Sequence, residues 1–287
     1  KLNGNMVTGS DDRIYDPSKS QLKKYKLYPK FIGYRKKNIS KNLDFVIVGM
    51  HTKKNNIELL EAKKQKLKIL SFPEFIRKSS QNKQRIIIAG SHGKSTITSI
   101  IMHVLKFANK DFDYLVGAKV NGFDFNIKLS DSPIIIIEGD EYLSSPLDKR
   151  PKFLNYDHHI VLVNGISWDH ANVFPTLDIY LDQFKKLINK TSKGGSIIIY
   201  DGDDNIDKII INPEEGKSII KYNIHKNVIK NDKTYLISNN KKIPIKIFGD
   251  HNMQNISGAL KVIKELGVTE NKFYQAIKSY STPKIRL

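Results

Sequence analysis

The run Arg85-Ile-Ile-Ile-Ala-Gly-Ser-His-Gly-Lys-Ser-Thr-Ile97 constrains this chain more than any other stretch. Its apolar start reads as a buried strand. Gly90 and Gly93 frame a turn, Lys94 and Ser95 follow, and helical spacing runs from Thr96 to about Phe107. Strand, glycine loop and helix in that order bind nucleotide phosphates. Backbone N–H groups and the helix N-terminus face the anion, and the lysine adds a positive charge. Ser95 stands where a hydroxyl ligates Mg²⁺. The longer form of this loop has a further glycine at the position of Ile88. The shorter form, Gly-x-x-Gly-Lys-Ser, is equally compatible with a structural turn at a strand–helix junction.

At 287 residues the chain has room for a large core and for two domains. It contains no cysteine, which excludes disulfides, thiolate zinc sites and thiol catalysis. No apolar run approaches the roughly 20 residues that span a bilayer. No signal peptide is visible at the start, and a cytoplasmic location is compatible with both observations. The formal charge is +19, from 48 basic and 29 acidic residues. One reading is a polyanion partner. The other is a solvated lysine surface. Lysines are scattered over the whole chain, Asn and Ile are abundant as well, and Arg, the better bidentate partner for phosphates and bases, is scarce. Nucleic acid is therefore not the expected partner. A phosphorylated small molecule would still be drawn to such a surface.

Residues 1–83 read as the last part of a small α/β domain. Met6-Val7 leads into Thr8-Gly9-Ser10-Asp11-Asp12. An acidic residue past a strand end can hold a ribose hydroxyl, or can simply cap a turn. A helical stretch at 18–25, strands at 43–48 and 67–70, and helices at 56–64 and from 72 complete a β/α alternation. That alternation belongs to an open parallel sheet. Starting on Lys1 with one short strand, the chain is expected to lack earlier residues. The polar run 78–83 reads as a linker.

A second domain, 84–287, follows. Run 113–118 reads as strand and turn, run 133–137, almost purely β-branched, as a buried central strand, and runs 159–163 and 196–200 as further strands. Helical spacing appears at 177–188, 253–265 and 270–279, with Gly267 as a C-cap. The region 203–246 holds short β-like runs at 218–222, 234–238 and 243–248, expected to form an edge subsheet.

In an open parallel sheet, ligands bind beyond the C-terminal strand ends. Three strands end in suitable groups. The first delivers the 90–95 loop. The second delivers Glu138, a hard oxygen ligand for Mg²⁺. The third delivers Asp169 and His170. Asp140 and Glu141 can join the site or cap a helix. His170 can bind a metal or serve the structure. Trp168, the only tryptophan, reads first as a core residue. Asn252 and Asn255, three apart on one helix face, can reach one ligand together, or Asn252 can cap the helix.

The segments Gly90-Ser-His-Gly-Lys-Ser-Thr96, Glu138-Gly-Asp-Glu141, Trp168-Asp-His170 and Gly249-Asp-His-Asn-Met-Gln-Asn255 together resemble the Mur ligases, the ATP-dependent amide ligases of peptidoglycan. Ser145-Pro-Leu-Asp-Lys-Arg-Pro-Lys-Phe153 and Asp169-His-Ala-Asn-Val-Phe-Pro175 resemble the branch that adds a peptide. The branch that adds L-alanine is the alternative. The resemblance implies a partial Rossmann-like N-terminal domain followed by a P-loop ATPase-like central domain with a mainly parallel sheet. It implies ATP and Mg²⁺ as cofactors. The implied substrates are UDP-N-acetylmuramate and an amine acceptor, either L-alanyl-γ-D-glutamyl-meso-diaminopimelate or L-alanine. Gly90, Ser91, His92, Gly93, Lys94, Ser95 and Thr96 would hold the phosphates. Ser95, Glu138 and His170 would hold metal, and His251, Asn252 and Asn255 would frame adenine and ribose. Lys94, Glu138, His170 and Arg286 would carry catalysis. Ser10, Asp11, His51, Thr52, Asn56 and Glu58 would bind the UDP-sugar, with Asp148 and Arg150 in the peptide-adding segment.

The chain departs from the family pattern in places. The family's N-terminal glycine loop and its third domain are expected to lie outside the chain, so that this stretch alone would ligate poorly or not at all. Asn56-Ile57-Glu58 replaces Asn-Pro-Glu, and Lys284-Ile285-Arg286 separates two usually adjacent basic residues. Lys185 stands near where some members carry a carbamylated lysine, a feature the peptide-adding branch generally lacks. A nucleotide-regulated binding protein without catalysis would need the loop, but not Glu138 and His170 together.

Overall fold

The computed structural model describes residues 4–16, 18–210 and 216–282. The chain divides into two units, Lys1–Phe75 with Ser144–Lys149, and Ile76–Leu143 with Arg150–Leu287.

The first unit holds α1 (Ser18–Lys24), β1 (Val46–Val48), α2 (Ile57–Lys64) and β2 (Ile69–Ser71). The two strands pair in parallel, Val46 opposite Ile69, so α2 is the crossover between them. Asn56 starts α2, its side-chain oxygen accepting from Glu58 N and Leu59 N at 2.9 and 3.1 Å. Ser71 and Glu74 form a reciprocal capping box at the start of α3 (Phe72–Ser79).

The division falls after Phe75, ahead of the polar run 78–83 that composition marks as a linker. Two members of that run, Ser80 and Lys83, are bonded inside the second unit. Lys83, 9% exposed, donates to the Ser130 and Ser132 carbonyls, each at 2.6 Å, and pairs with buried Asp113 at 3.0 Å. The Arg85 guanidinium donates to Ser80 O.

The second unit is built on seven strands. In chain order they are β3 (Gln84–Ala89), β4 (Asp113–Leu115), β5 (Ile127–Lys128), β6 (Ile134–Glu138), β7 (Ile160–Val163), β8 (Ser196–Tyr200) and β9 (Ser218–Tyr222). Their spatial order is β5-β4-β6-β3-β7-β8-β9, parallel throughout except for β5. The chain leaves β3 for β4 and β5 on one side, turns back through β6 and then passes to β7 on the other side, so the strand order switches at β3. That switch point is where an open α/β sheet leaves a crevice at its C-terminal edge.

Continuous Ile and Val runs are what a sheet covered on both faces requires. Ile86, Ile88, Ile136, Leu162 and Ile198 belong to one core with α4 (Lys94–Phe107), α7 (Asp250–Glu265) and α8 (Glu270–Ile277). α5 (Leu177–Asn189) buries Tyr180, Phe184 and Leu187, and α6 (Asp204–Ile209) buries Ile206.

The edge subsheet expected over 203–246 resolves differently. The 218–222 run is β9, a parallel edge strand of the main sheet, in register with β8 through Ser196 and Ser218. A separate antiparallel sheet consists of β10 (Asn227–Lys230), β11 (Lys233–Ser238) and β12 (Lys241–Ile245). Its two turns, Asn231-Asp232 and Asn239-Asn240, all have positive φ, which suits tight hairpins. Among the described residues no helix is long and apolar enough to cross a membrane.

Candidate active site

At the tip of β3 the backbone must turn sharply. Gly90 sits at φ +125° and Gly93 at φ +79°. A Cβ on Gly90 would stand 3.0 Å from Asn164 N and from Gly165 O, and a Cβ on Gly93 would overlap the side-chain amides of Asn164 and Asn255. Gly93 is also the N-cap of α4, so the unpaired amides of that helix open at the crevice.

The three strand tips are joined by side chains. From the start of α4, the Ser95 hydroxyl donates to Glu138 Oε1 at 2.8 Å. Glu138 ends β6 and also accepts from Gly117 N at 2.8 Å. The Lys94 ammonium donates to Gly90 O at 2.7 Å and to both oxygens of Glu141, at 3.1 and 2.9 Å. Glu141 is 2% exposed. Its Oε1 lies 3.6 Å from His170 Nε2 and accepts from the Tyr180 hydroxyl at 3.4 Å. Burial, and then the charge of Glu141, push the Tyr180 phenol up. Ser91 Oγ lies 3.2 Å from the same hydroxyl and donates to Ser167 O at 2.7 Å, tying the loop to the segment beyond β7.

Asn164, the residue after β7, is a second junction. Its amide donates to His92 O at 3.1 Å and to Asn255 Oδ1 at 2.8 Å, while Tyr222 OH donates to its oxygen at 2.6 Å. Gln254 donates to its carbonyl at 2.6 Å. These bonds dock the start of α7 on the phosphate-type loop.

The structure therefore gathers Gly90, Ser91, His92, Gly93, Lys94, Ser95, Glu138, His170 and Asn255 at one edge of one sheet. His170, in a left-handed backbone conformation, contacts Glu141, Asp169 and the ring of Tyr142. Ligand atoms of Glu141, Asp169 and His170 lie within 4.8 Å of one another. Asn252 donates to Phe248 O, one turn back, and does not cap α7, whose N-cap is Gly249, and His251 is exposed. Trp168 is not a core residue. It is 50% exposed, with its indole N–H pinned to Phe174 O at 2.9 Å. Lys185 is half-buried on α5. Arg286 lies outside the described residues.

Sequence reasoning left Glu141 between two readings and missed Asn164 and Tyr180. Glu141 caps no helix. The local turn is held by Asp140, which accepts from Tyr142 N and pairs with Lys152. Burial would raise the Asp140 carboxyl, but the Lys152 hydrogen bond and the Tyr142 amide bring it below its ordinary value. The Asn-Gly pair directly past a strand end was the available signal for Asn164.

In the first unit, Asn38 bridges Ser10 Oγ at 3.1 Å and Glu58 Oε1 at 2.8 Å. Arg35 N donates to the same Glu58 oxygen at 2.9 Å. The Asn56 side-chain oxygen is used by the α2 amides. Asp11 accepts from Asp12 N, Thr52 N closes a turn onto Gly49 O, and His51 is exposed. Asp148 lies in a turn with Ser145 in this unit. Arg150 belongs to the second unit and donates to Asn155 Oδ1.

Comparison with known proteins follows the same lines. A family model described as the Mur ligase middle domain matches residues 88–263. The chain is 31% identical over 201 residues to a UDP-N-acetylmuramate–L-alanyl-gamma-D-glutamyl-meso-2,6-diaminoheptandioate ligase of Haemophilus influenzae, covering 69% of this chain and 44% of the relative. It is 28% identical over 264 residues to a UDP-N-acetylmuramate–L-alanine ligase of Clostridium botulinum, covering 87% and 56%. The chain thus spans about half the length of the curated relatives it matches. Its fold matches the crystal structure of UDP-N-acetylmuramate:L-alanyl-gamma-D-glutamyl-meso-diaminopimelate ligase from Neisseria meningitides, with a TM-score of 0.87 at 21% identity, over 99% of this chain and 93% of that one. A murein peptide ligase from Psychrobacter arcticus gives 0.82 at 23%, over 99% and 65%. With the loop, the strand tips and the sheet order in place, this chain belongs to the Mur ligase family, with residues 88–263 as its middle domain.

Proposed function

We propose that this chain is part of an ATP-dependent amide ligase. It would activate the carboxylate of UDP-N-acetylmuramate and join it to the amine of L-alanyl-γ-D-glutamyl-meso-diaminopimelate. The observation that carries the reading is the Ser95–Glu138 hydrogen bond, at 2.8 Å, beside the Lys94 ammonium and the open N-terminus of α4. A hydroxyl and a carboxylate from neighbouring strand tips form a hard-oxygen pair suited to Mg²⁺, and the loop amides and lysine suit a polyphosphate. A bound Mg²⁺ would neutralise charge on the nucleotide phosphates. His170, with Asp169 and Glu141 around it, is the place for a second ion.

In the proposed reaction the substrate carboxylate takes the γ-phosphoryl group and releases ADP. The amine then attacks the acyl carbon, loses a proton, and phosphate leaves. The chain's contribution is positioning and charge. The 90–95 amides and Lys94 hold the phosphates in line and stabilise negative charge that grows as the phosphoryl group moves. Asn255, held by Asn164, fixes the wall of the loop on the α7 side. Ser10, Asp11, His51, Thr52, Asn56 and Glu58 are proposed contacts to the UDP-sugar, and Asp148 and Arg150 are proposed substrate contacts of the peptide-adding kind. Arg286 is proposed to approach the γ-phosphate. A cytoplasmic location is proposed with these nucleotide-linked substrates.

A second reading has L-alanine as the acceptor. It is favoured by the longer alignment to the Clostridium botulinum ligase, 264 residues against 201. The two are separated by giving the full-length protein ATP, Mg²⁺, UDP-N-acetylmuramate and either acceptor, and following ADP release. The expected result is faster release with the tripeptide, abolished by Lys94→Ala. Faster release with L-alanine selects the second reading. Release that ignores Lys94 refutes both.

A further inference from the structure

A buried negative charge lies in the middle of the proposed anion site, beside the lysine as well as beside His170. Glu141 is 2% exposed, and both of its oxygens face Lys94. An ammonium has three donors. Here Gly90 O and the two Glu141 oxygens take all three. A phosphate oxygen can reach Lys94 only by displacing one of them. Gly90 O is backbone at a constrained turn. The weaker contact is Glu141 Oε1, at 3.1 Å, and that oxygen has the Tyr180 hydroxyl as a further partner at 3.4 Å. Glu141 can therefore release one bond to the lysine and keep the other, at 2.9 Å.

We propose that Glu141 is a positioning residue: it anchors the Lys94 ammonium against Gly90 so that one N–H is presented to phosphate, and it competes with phosphate for that same ammonium. The proposal rests on the reading that the 90–95 loop binds a nucleoside triphosphate. It separates two effects that a purely structural ion pair would move together. Removing the charge frees the ammonium, so nucleotide binds more tightly. Removing the anchor lets the ammonium wander, so the chemical step slows.

The test measures ADP affinity by calorimetry and ADP release in the ligase assay, on the full-length protein as wild type, Glu141→Gln and Glu141→Asp. For Glu141→Gln the dissociation constant of ADP is expected to fall about tenfold, the scale of one charge-assisted hydrogen bond that no longer has to be displaced. Turnover is expected to fall by at least about tenfold. Glu141→Asp keeps the charge on a shorter arm. It should bind ADP within about twofold of wild type while turnover still falls, and it decides the matter if the glutamine variant does not fold. Weaker or unchanged ADP binding by Glu141→Gln overturns the proposal, as does wild-type turnover in either variant. Tighter ADP binding by Glu141→Asp also overturns it. Absence of ADP binding by the wild type overturns the nucleotide reading and this proposal together.

Discussion

Gly93 shows how narrowly a single residue can be fixed. Its φ of +79° disfavours any side chain, and a Cβ there would overlap the Asn164–Asn255 amide pair. Gly93→Ala is expected to cost about 2 kcal/mol of stability from the backbone and the broken amide bond. It should also weaken nucleotide binding at least about tenfold, because the loop amides lose their alignment. Chemical denaturation and calorimetry check the two parts, and an unchanged affinity would contradict the loop's role. At this scale the sequence was informative where spacing carries chemistry. Gly90, Gly93, Lys94 and Ser95 are read from one short run, and Glu138 from its place at the end of an isoleucine run. Glu141 and Asn164 were harder. Their importance comes from partners 47 and 91 positions away, Lys94 and Asn255, and no local pattern encodes such pairs.

His158 joins two elements and gives the fold an acid limit. It precedes β7, and its ring lies 3.0 Å from Thr191 Oγ1 in the turn after α5, while its carbonyl accepts from Ser192 N. Its Nδ1 has no hydrogen-bond partner among the described residues. Burial, and then the charge of Lys190, hold its pKa down to about 3. The folded state keeps the ring neutral, while the unfolded chain takes up a proton near 6.5. Stability from this group is therefore complete above pH 6.5 and is lost as pH falls towards 3. At pH 5 the loss is about 2 kcal/mol relative to pH 7.5. His159, also depressed by burial, adds in the same direction. Urea unfolding at the two pH values should show this difference, and His158→Gln should shrink it. A pH-independent midpoint would contradict the account. Most elements were legible from apolar runs and helical spacing, because both faces of the sheet are covered. The membership of β9 was not. A strand of the type Ser-Ile-Ile-Lys-Tyr pairs equally well in a hairpin or beside β8, and only the α6 crossover selects the parallel edge.

For the molecule as a whole, the decisive feature is the reversal of strand order at β3. It brings residues 84–95, 134–141 and 160–170 to one crevice although the sequence separates them. The net charge of +19, by contrast, belongs to a lysine-rich surface rather than to the site. Within the crevice Lys94 is matched by Glu141. The central claim is that Ser95 and Glu138 together hold the metal of a bound nucleotide. The measurement that tests it most directly is calorimetric titration of the wild type, Ser95→Ala and Glu138→Gln with a non-hydrolysable ATP analogue, each with and without Mg²⁺. The account predicts Mg²⁺-strengthened binding by the wild type and loss of that strengthening, by at least about tenfold, in both variants. Binding that is indifferent to Mg²⁺, or an Mg²⁺ effect that survives both substitutions, would contradict it.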